Sequence, residues 1–226
     1  MYRILSALSL VGLVVFAGAI FWATRPAPIP QAVILPVPSG PECRAQKAYI
    51  YDECSDQEMV FDAALARAQA EGKVLIVSYG AEWCIWCHVF HAYVTGESGK
   101  FTHHYSDSSD QQRYTATLNE RGGPDSAEIA THLATYFSHT FVLVNIEGRY
   151  APGADRVLRR TGADAHYEYS IPFVFTVTSD GRYAEHLDSD QVTIRRDTED
   201  WFRGYDRGKL LFALIDMAAA AYGIAL

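Results

Sequence analysis

Val74-Leu75-Ile76-Val77-Ser78-Tyr79-Gly80-Ala81-Glu82-Trp83-Cys84-Ile85-Trp86-Cys87-His88 is the stretch on which the reading of this chain turns. Val74 to Val77 is an apolar, β-branched run and predicts a buried strand. The Cys-x-x-Cys pair follows at the point where such a strand would end and a helix begin. At a helix start, unpaired backbone N–H groups and the helix dipole stabilise a thiolate on the first cysteine. Two intervening residues set the second sulfur one helical turn away, close enough to close a disulfide or to resolve a mixed one. A redox dithiol at Cys84 and Cys87 is therefore the leading expectation.

The same residues carry a competing signature. His88 after Cys87 makes Cys-x-x-Cys-His, the covalent haem-attachment pattern. Haem would need a second axial ligand and leaves the preceding strand without a role. It also ignores Ile171-Pro172, which heads a second apolar run, Phe173-Val174-Phe175-Thr176-Val177. A zinc site would want a second Cys/His pair at ligand spacing, which Cys43 and Cys54 do not supply. Neither a metal nor a cofactor is expected.

Working outward, residues 4–23 carry no charge and follow Met1-Tyr2-Arg3. As a helix this segment would span about 30 Å, the hydrocarbon thickness of a bilayer. Its length and the pair Phe21-Trp22 at the interface favour an uncleaved signal anchor, residues 1–24. The alternative is a signal peptide cleaved near Ala17-Gly18-Ala19. Either way the body of the chain is exported. Pro26, Pro28, Pro30, Pro36, Pro38 and Pro41 then make residues 25–42 an extended, semi-rigid linker. In an oxidising compartment four cysteines suggest two pairs. Besides Cys84–Cys87, a structural disulfide between Cys43 and Cys54 would tie the end of the linker to the first helix. The alternative gives one of the two an extra role in exchange.

The globular domain is expected over residues 43–226. Ser55-Asp56-Gln57-Glu58 has capping-box spacing and opens a helix running to Glu71-Gly72. Strand 74–79 and a helix from Cys84 to about Val94 follow. Residues 95–125 are rich in Gly, Ser and Asp and read as loop; residues 126–138 read as a helix and 140–146 as a buried strand. Pro152–Thr161 is a short helix closed by Gly162. Residues 172–187 form a hairpin around Asp180-Gly181, and Thr198–Leu226 is helical and packs on the sheet. The order gives an α/β fold, a central mixed β-sheet flanked by helices. The net charge of −8 and the lack of any Lys/Arg run argue against a nucleic-acid partner.

These residues resemble the thioredoxin superfamily. The likeness rests on Val74–Val77 leading to Ala81-Glu82-Trp83-Cys84-Ile85-Trp86-Cys87, on Phe141–Ile146, on Ile171-Pro172-Phe173-Val174-Phe175 and on Asp180-Gly181. It covers roughly residues 55–95 and 140–225. The centre Trp83-Cys84-Ile85-Trp86-Cys87-His88 looks most like an exported, membrane-anchored branch. The resemblance implies a thioredoxin-like fold with an insertion at about 95–138, between the active-site helix and the next strand. It implies that Cys84 is the exposed nucleophile and Cys87 the resolving thiol. Ile171-Pro172 would be a cis-proline loop whose backbone pairs with an extended substrate peptide, with Trp83 and Trp86 beside it. Partners would be cysteine-containing envelope proteins and a membrane redox partner. The location would be the inner (cytoplasmic) membrane, single-pass, with the domain facing the periplasm.

One departure stands out. The family's buried acid, six residues before the first cysteine, is Ser78 here, so Glu82 or water must assist the resolving thiol, or turnover slows. The alternative to an oxidoreductase is a non-catalytic thioredoxin-like binding or assembly subunit of an envelope complex, which the Ser78 replacement and the insertion favour. The scattered histidines and tyrosines, Tyr51 among them, read as surface or packing residues, and Asn145 as a turn former.

Overall fold

The computed structural model describes residues 31–35, 49–98, 100–106, 113–119, 125–194 and 204–224. In chain order the elements are β1 (Val33–Leu35), α1 (Gln57–Glu71), β2 (Val74–Gly80), α2 (Ile85–Val94), β3 (Lys100–Ser106), β4 (Arg113–Asn119), α3 (Asp125–Thr140), β5 (Phe141–Glu147), α4 (Ala154–Thr161), β6 (Phe173–Val177), β7 (Tyr183–His186), α5 (Ser189–Val192) and α6 (Arg207–Ala221). Five strands form one mixed sheet in the order β1-β5-β2-β6-β7. β2 is central, parallel to β5 and antiparallel to β6. This is the mixed sheet flanked by helices that the sequence led us to expect.

Alternation along β2 explains the two cores. Val74 and Ile76 face α2, α3 and α6, where they meet Phe90, Tyr93, Leu133, Phe137 and Leu214. Leu75, Val77 and Tyr79 face the other way, onto Phe61, Ala64 and Ala68 of α1 and Val157 of α4. Every residue of β2 and β5 is buried, as the unbroken apolar runs require of strands covered on both faces. By the same two-residue period, Ser78 lies on the α2 side of the sheet.

Local signals set the helix ends. The Asp56 side chain accepts from the Glu58 N–H, and Gly72 closes α1 in the left-handed region at φ 64°. The cap is thus Asp56; the Ser55 hydroxyl bonds Asp52 instead. Buried Gln57 staples α1 to the sheet: its Oε1 accepts from the Glu147 N–H at 2.8 Å, and its Nε2 donates to the Asp52 and Ser55 carbonyls. Gly162 closes α4 at φ 83°, and Gly181 turns the β6–β7 hairpin at φ 79°.

Four expectations change. Val33–Leu35, within the 25–42 stretch read as linker, pairs in parallel with Val142–Val144. Pro30 and Pro36 stand outside the three paired residues, and β1 is an edge strand, where proline neighbours are tolerated. The stretch 95–125, read as loop, contains β3 and β4, an antiparallel ribbon forming its own two-stranded sheet. Its Thr, Tyr and Phe content suits strands, whereas the Ser/Asp and Gly clusters that suggested loop lie beside the strands. Helix α3, assigned to the insertion at about 95–138, belongs to the core, because Leu133 and Phe137 are fully buried. The last helix starts at Arg207, where Asp206 caps it by accepting from the Lys209 N–H, so it does not run unbroken from Thr198, which lies outside the described residues.

Among the described residues no helix is long and apolar enough to cross a membrane. The expected anchor at residues 4–23 lies outside the described residues, as does Cys43. Cys54 is disulfide-bonded.

Candidate active site

β2 ends at Gly80, and a tight turn delivers Cys84 to the start of α2. The Cys84 N–H donates to the Ala81 carbonyl at 2.9 Å. Cys84 is the N-cap of α2, with extended φ and ψ of −78° and 104°. Its Sγ accepts from the Cys87 N–H at 3.3 Å. A sulfur receiving backbone N–H at a helix start is the setting that favours thiolate. Cys84 and Cys87 are joined in a disulfide with Cα atoms 5.3 Å apart.

Both cysteines are buried, at 2% and 1% exposure. They pack in one small cluster with Ile50 and Tyr51, flanked by Trp86 and Ile171. The resemblance implied an exposed Cys84; here the segment before α1 and the Ile171 side chain cover it. Ile171-Pro172 is a cis peptide immediately before β6. Its neighbour Phe173 is paired with Tyr79 of β2, which holds this loop at the dithiol's end of the sheet. Trp83 sits at the rim, 38% exposed. The structure therefore brings Cys84, Cys87, Trp86 and Ile171 together, with Trp83 and Pro172 adjacent to them in the chain.

Around the pair runs a polar frame. The Ile50 and Tyr51 N–H groups donate to Glu82 Oε2 at 3.1 and 3.0 Å. Asn145 of β5 donates from Nδ2 to the Ile50 carbonyl at 3.0 Å. The Glu82 N–H donates to Glu147 Oε2 at 3.0 Å, and Glu147 Oε1 accepts from Arg149 and Tyr150. Burial pushes the Glu147 carboxyl up to about 7, against the pull of these backbone donors. The His88 ring donates from Nε2 to the Glu82 carbonyl at 2.6 Å, with Glu82 Oε1 at 3.3 Å. That ring nitrogen is committed to the turn. Glu82, one expected substitute for the missing acid, turns its carboxylate to the 50–51 backbone and to His88.

Tyr51, expected as a packing residue, is the side chain that meets Ser78. Tyr51 is fully buried, and its hydroxyl lies 3.1 Å from Ser78 Oγ. A Cβ added at Gly80 would meet Cys87 Sγ and the Tyr51 hydroxyl oxygen, each at 2.5 Å. Gly80 thus leaves open a space that both the sulfur and the phenol border. No signal near Tyr51 in the chain marks this, because its partners lie in β2, the turn and α2. Asn145, expected as a turn former, instead lies within β5, buried, with its amide turned to Ile50.

No family model and no curated protein matches the chain. Four chains of solved structures match. One is the C-terminal domain of Neisseria meningitidis DsbD in its oxidised form, at 15% identity and a TM-score of 0.35, covering 72% of this chain and 97% of that one.

Proposed function

We propose that this chain is a thioredoxin-like, membrane-tethered thiol–disulfide oxidoreductase acting outside the cytoplasm on cysteine-containing envelope proteins. The observation that carries the reading is the Cys84–Cys87 disulfide at the N-terminus of α2, packed against Ile171 of the Ile171-Pro172 loop. Reduced Cys84, stabilised as thiolate by the helix start, attacks a substrate disulfide; Cys87 then resolves the mixed disulfide. In the opposite direction a substrate thiolate attacks the oxidised pair. Residues 4–23 hold the domain at the inner membrane, single-pass, where a membrane redox partner resets the pair. Trp83, Trp86, Ile171 and Pro172 border the substrate chain, which adds to the backbone of the loop as an extended strand.

The test is trapping. Cys87→Ser should accumulate mixed disulfides with envelope proteins, and Cys84→Ser should accumulate none. Full exchange activity in both variants would end the proposal.

A second reading has its own support. Burial of both sulfurs favours a binding or assembly subunit whose disulfide never turns over. A pair that native protein keeps even at potentials below roughly −300 mV would favour that subunit.

A further inference from the structure

We propose that the Tyr51 hydroxyl, aligned by Ser78, is the hydrogen-bond donor that stabilises Cys87 as a thiolate in the resolving step. Two neutral hydroxyls would then do the work of a buried acid. The inference rests on the exchange reactions proposed above and assigns Tyr51 to them.

Four observations converge. Ser78 lies on the α2 side of β2, by alternation with Val74 and Ile76. Its small side chain leaves a space that the Tyr51 phenol enters, at 3.1 Å from Ser78 Oγ. The Cys87 sulfur and the Tyr51 oxygen each lie 2.5 Å from the position of a Cβ on Gly80, so both border the same small space. Finally, the Tyr51 backbone is held by Glu82, and the Ile50 carbonyl next to it by Asn145. The phenol is therefore placed from three directions.

Burial, helped by Glu147, Glu82 and Tyr205, drives the Tyr51 phenol well above its ordinary range. It stays protonated and acts only as a neutral group. The ionisable groups facing this spot are Glu82 and Glu147 from the turn and β5, His88 from α2, and Tyr205. The carboxylates oppose a second negative charge, so a thiolate on Cys87 needs a donor. A hydrogen bond to the charged form lowers a pKa. With Ser78 as the donor in its hydrogen bond to the Tyr51 oxygen, the phenolic hydrogen is left for the sulfur.

The Cys84 thiolate attacks the disulfide R–S–S–R′, forming Cys84–S–S–R and releasing R′–S⁻. The Cys87 thiol gives its proton to R′–S⁻, becoming a thiolate that accepts the Tyr51 hydrogen bond. Cys87 S⁻ then attacks Cys84 Sγ, closing the Cys84–Cys87 disulfide and releasing R–S⁻. Two electrons pass from the dithiol to the substrate, and Tyr51 keeps its proton throughout.

The test titrates Cys87 in the full-length chain carrying Cys84→Ser, following its Cβ resonance by NMR across pH. Adding Tyr51→Phe should raise the Cys87 pKa by about one unit, the size expected for losing a hydrogen bond to a charged group. In the protein with both cysteines, Tyr51→Phe should slow resolution of the mixed disulfide about tenfold at neutral pH, through that same shift. Ser78→Ala should raise the pKa by less, and Ser78→Thr, which keeps the hydroxyl, should leave it in place. An unchanged Cys87 pKa in folded Tyr51→Phe overturns the inference. If Tyr51→Phe does not fold, the Ser78 pair decides: equal pKa values in Ser78→Ala and Ser78→Thr overturn it. Failure of the wild type to exchange any disulfide would instead defeat the proposed function, and the Cys84→Ser titration would still report on Tyr51.

Discussion

The Asn145 amide reaches from β5 to the Ile50 carbonyl, 3.0 Å away and 95 positions earlier in the chain. With the Glu82 carboxylate on the Ile50 and Tyr51 N–H groups, it straps the segment before α1 across the dithiol. Removing a buried donor leaves the carbonyl unsatisfied, at a cost of about 1–3 kcal/mol. Asn145→Ala should lower unfolding stability by that amount in a urea titration. The variant should also be reduced faster by dithiothreitol, because the cover over Cys84 loosens. Equal reduction rates in variant and wild type would show that the strap does not control access.

Gly80 should tolerate no side chain. An alanine Cβ would stand 2.5 Å from both Cys87 Sγ and the Tyr51 hydroxyl, closer than real Cβ contacts allow. Sulfur and phenol are both packed in the core and cannot swing aside. Gly80→Ala should therefore lose about 1–3 kcal/mol or more, as overpacked cores do. It should also shift the reduction potential of the pair, read against glutathione buffers. Full stability in this variant would mean that the sulfur and the phenol give way to the added methyl.

Glu147 links folding to pH. Its carboxyl is fully buried and its pKa is raised from 4.5 to about 7, chiefly by burial. A raised folded-state pKa means that the folded chain binds this proton more tightly than the unfolded chain. The stabilisation is complete below pH 4.5 and is lost as pH rises through about 7. The whole change is on the order of 3 kcal/mol. In Glu147→Gln this part of the slope between pH 4.5 and 7 should vanish. The amide variant should be less stable at every pH, since it turns a donor toward backbone N–H groups. Denaturant melts of both proteins across this window check the difference; parallel curves would refute it.

What was legible in the sequence was local. The run Val74–Val77, the Cys-x-x-Cys spacing and Asp180-Gly181 each signal their own conformation within a few residues. So β2, the start of α2 and the β6–β7 hairpin could be placed, with Ile171-Pro172 standing before β6. Tyr51 and Asn145 were missed for the opposite reason. Each matters only through partners dozens of positions away, and nothing in the residues beside them distinguishes a frame from a filler. β1 was hidden by its prolines, which signal an extended spacer whether or not the extended residues find a strand to pair with.

β3 and β4 form a sheet of their own, outside the five-stranded one. α3, in contrast, buries Leu133 and Phe137 completely, in the core that holds Phe90, Tyr93 and Phe141 of α2 and β5. Replacing residues 100–119 by a short Gly/Ser linker should leave a folded domain with its Cys84–Cys87 disulfide intact. Extending the excision to 138 removes α3's buried side chains. Losing Phe137 alone costs about 3–5 kcal/mol, and Leu133 about 2–5 kcal/mol. Against the roughly 5–15 kcal/mol that holds a typical domain together, the longer deletion should leave no cooperative unfolding transition. Thermal melts of the two deletions separate these outcomes. A cooperative melt for the longer deletion would place α3 outside the core, and loss of the melt in the shorter one would make the ribbon part of it.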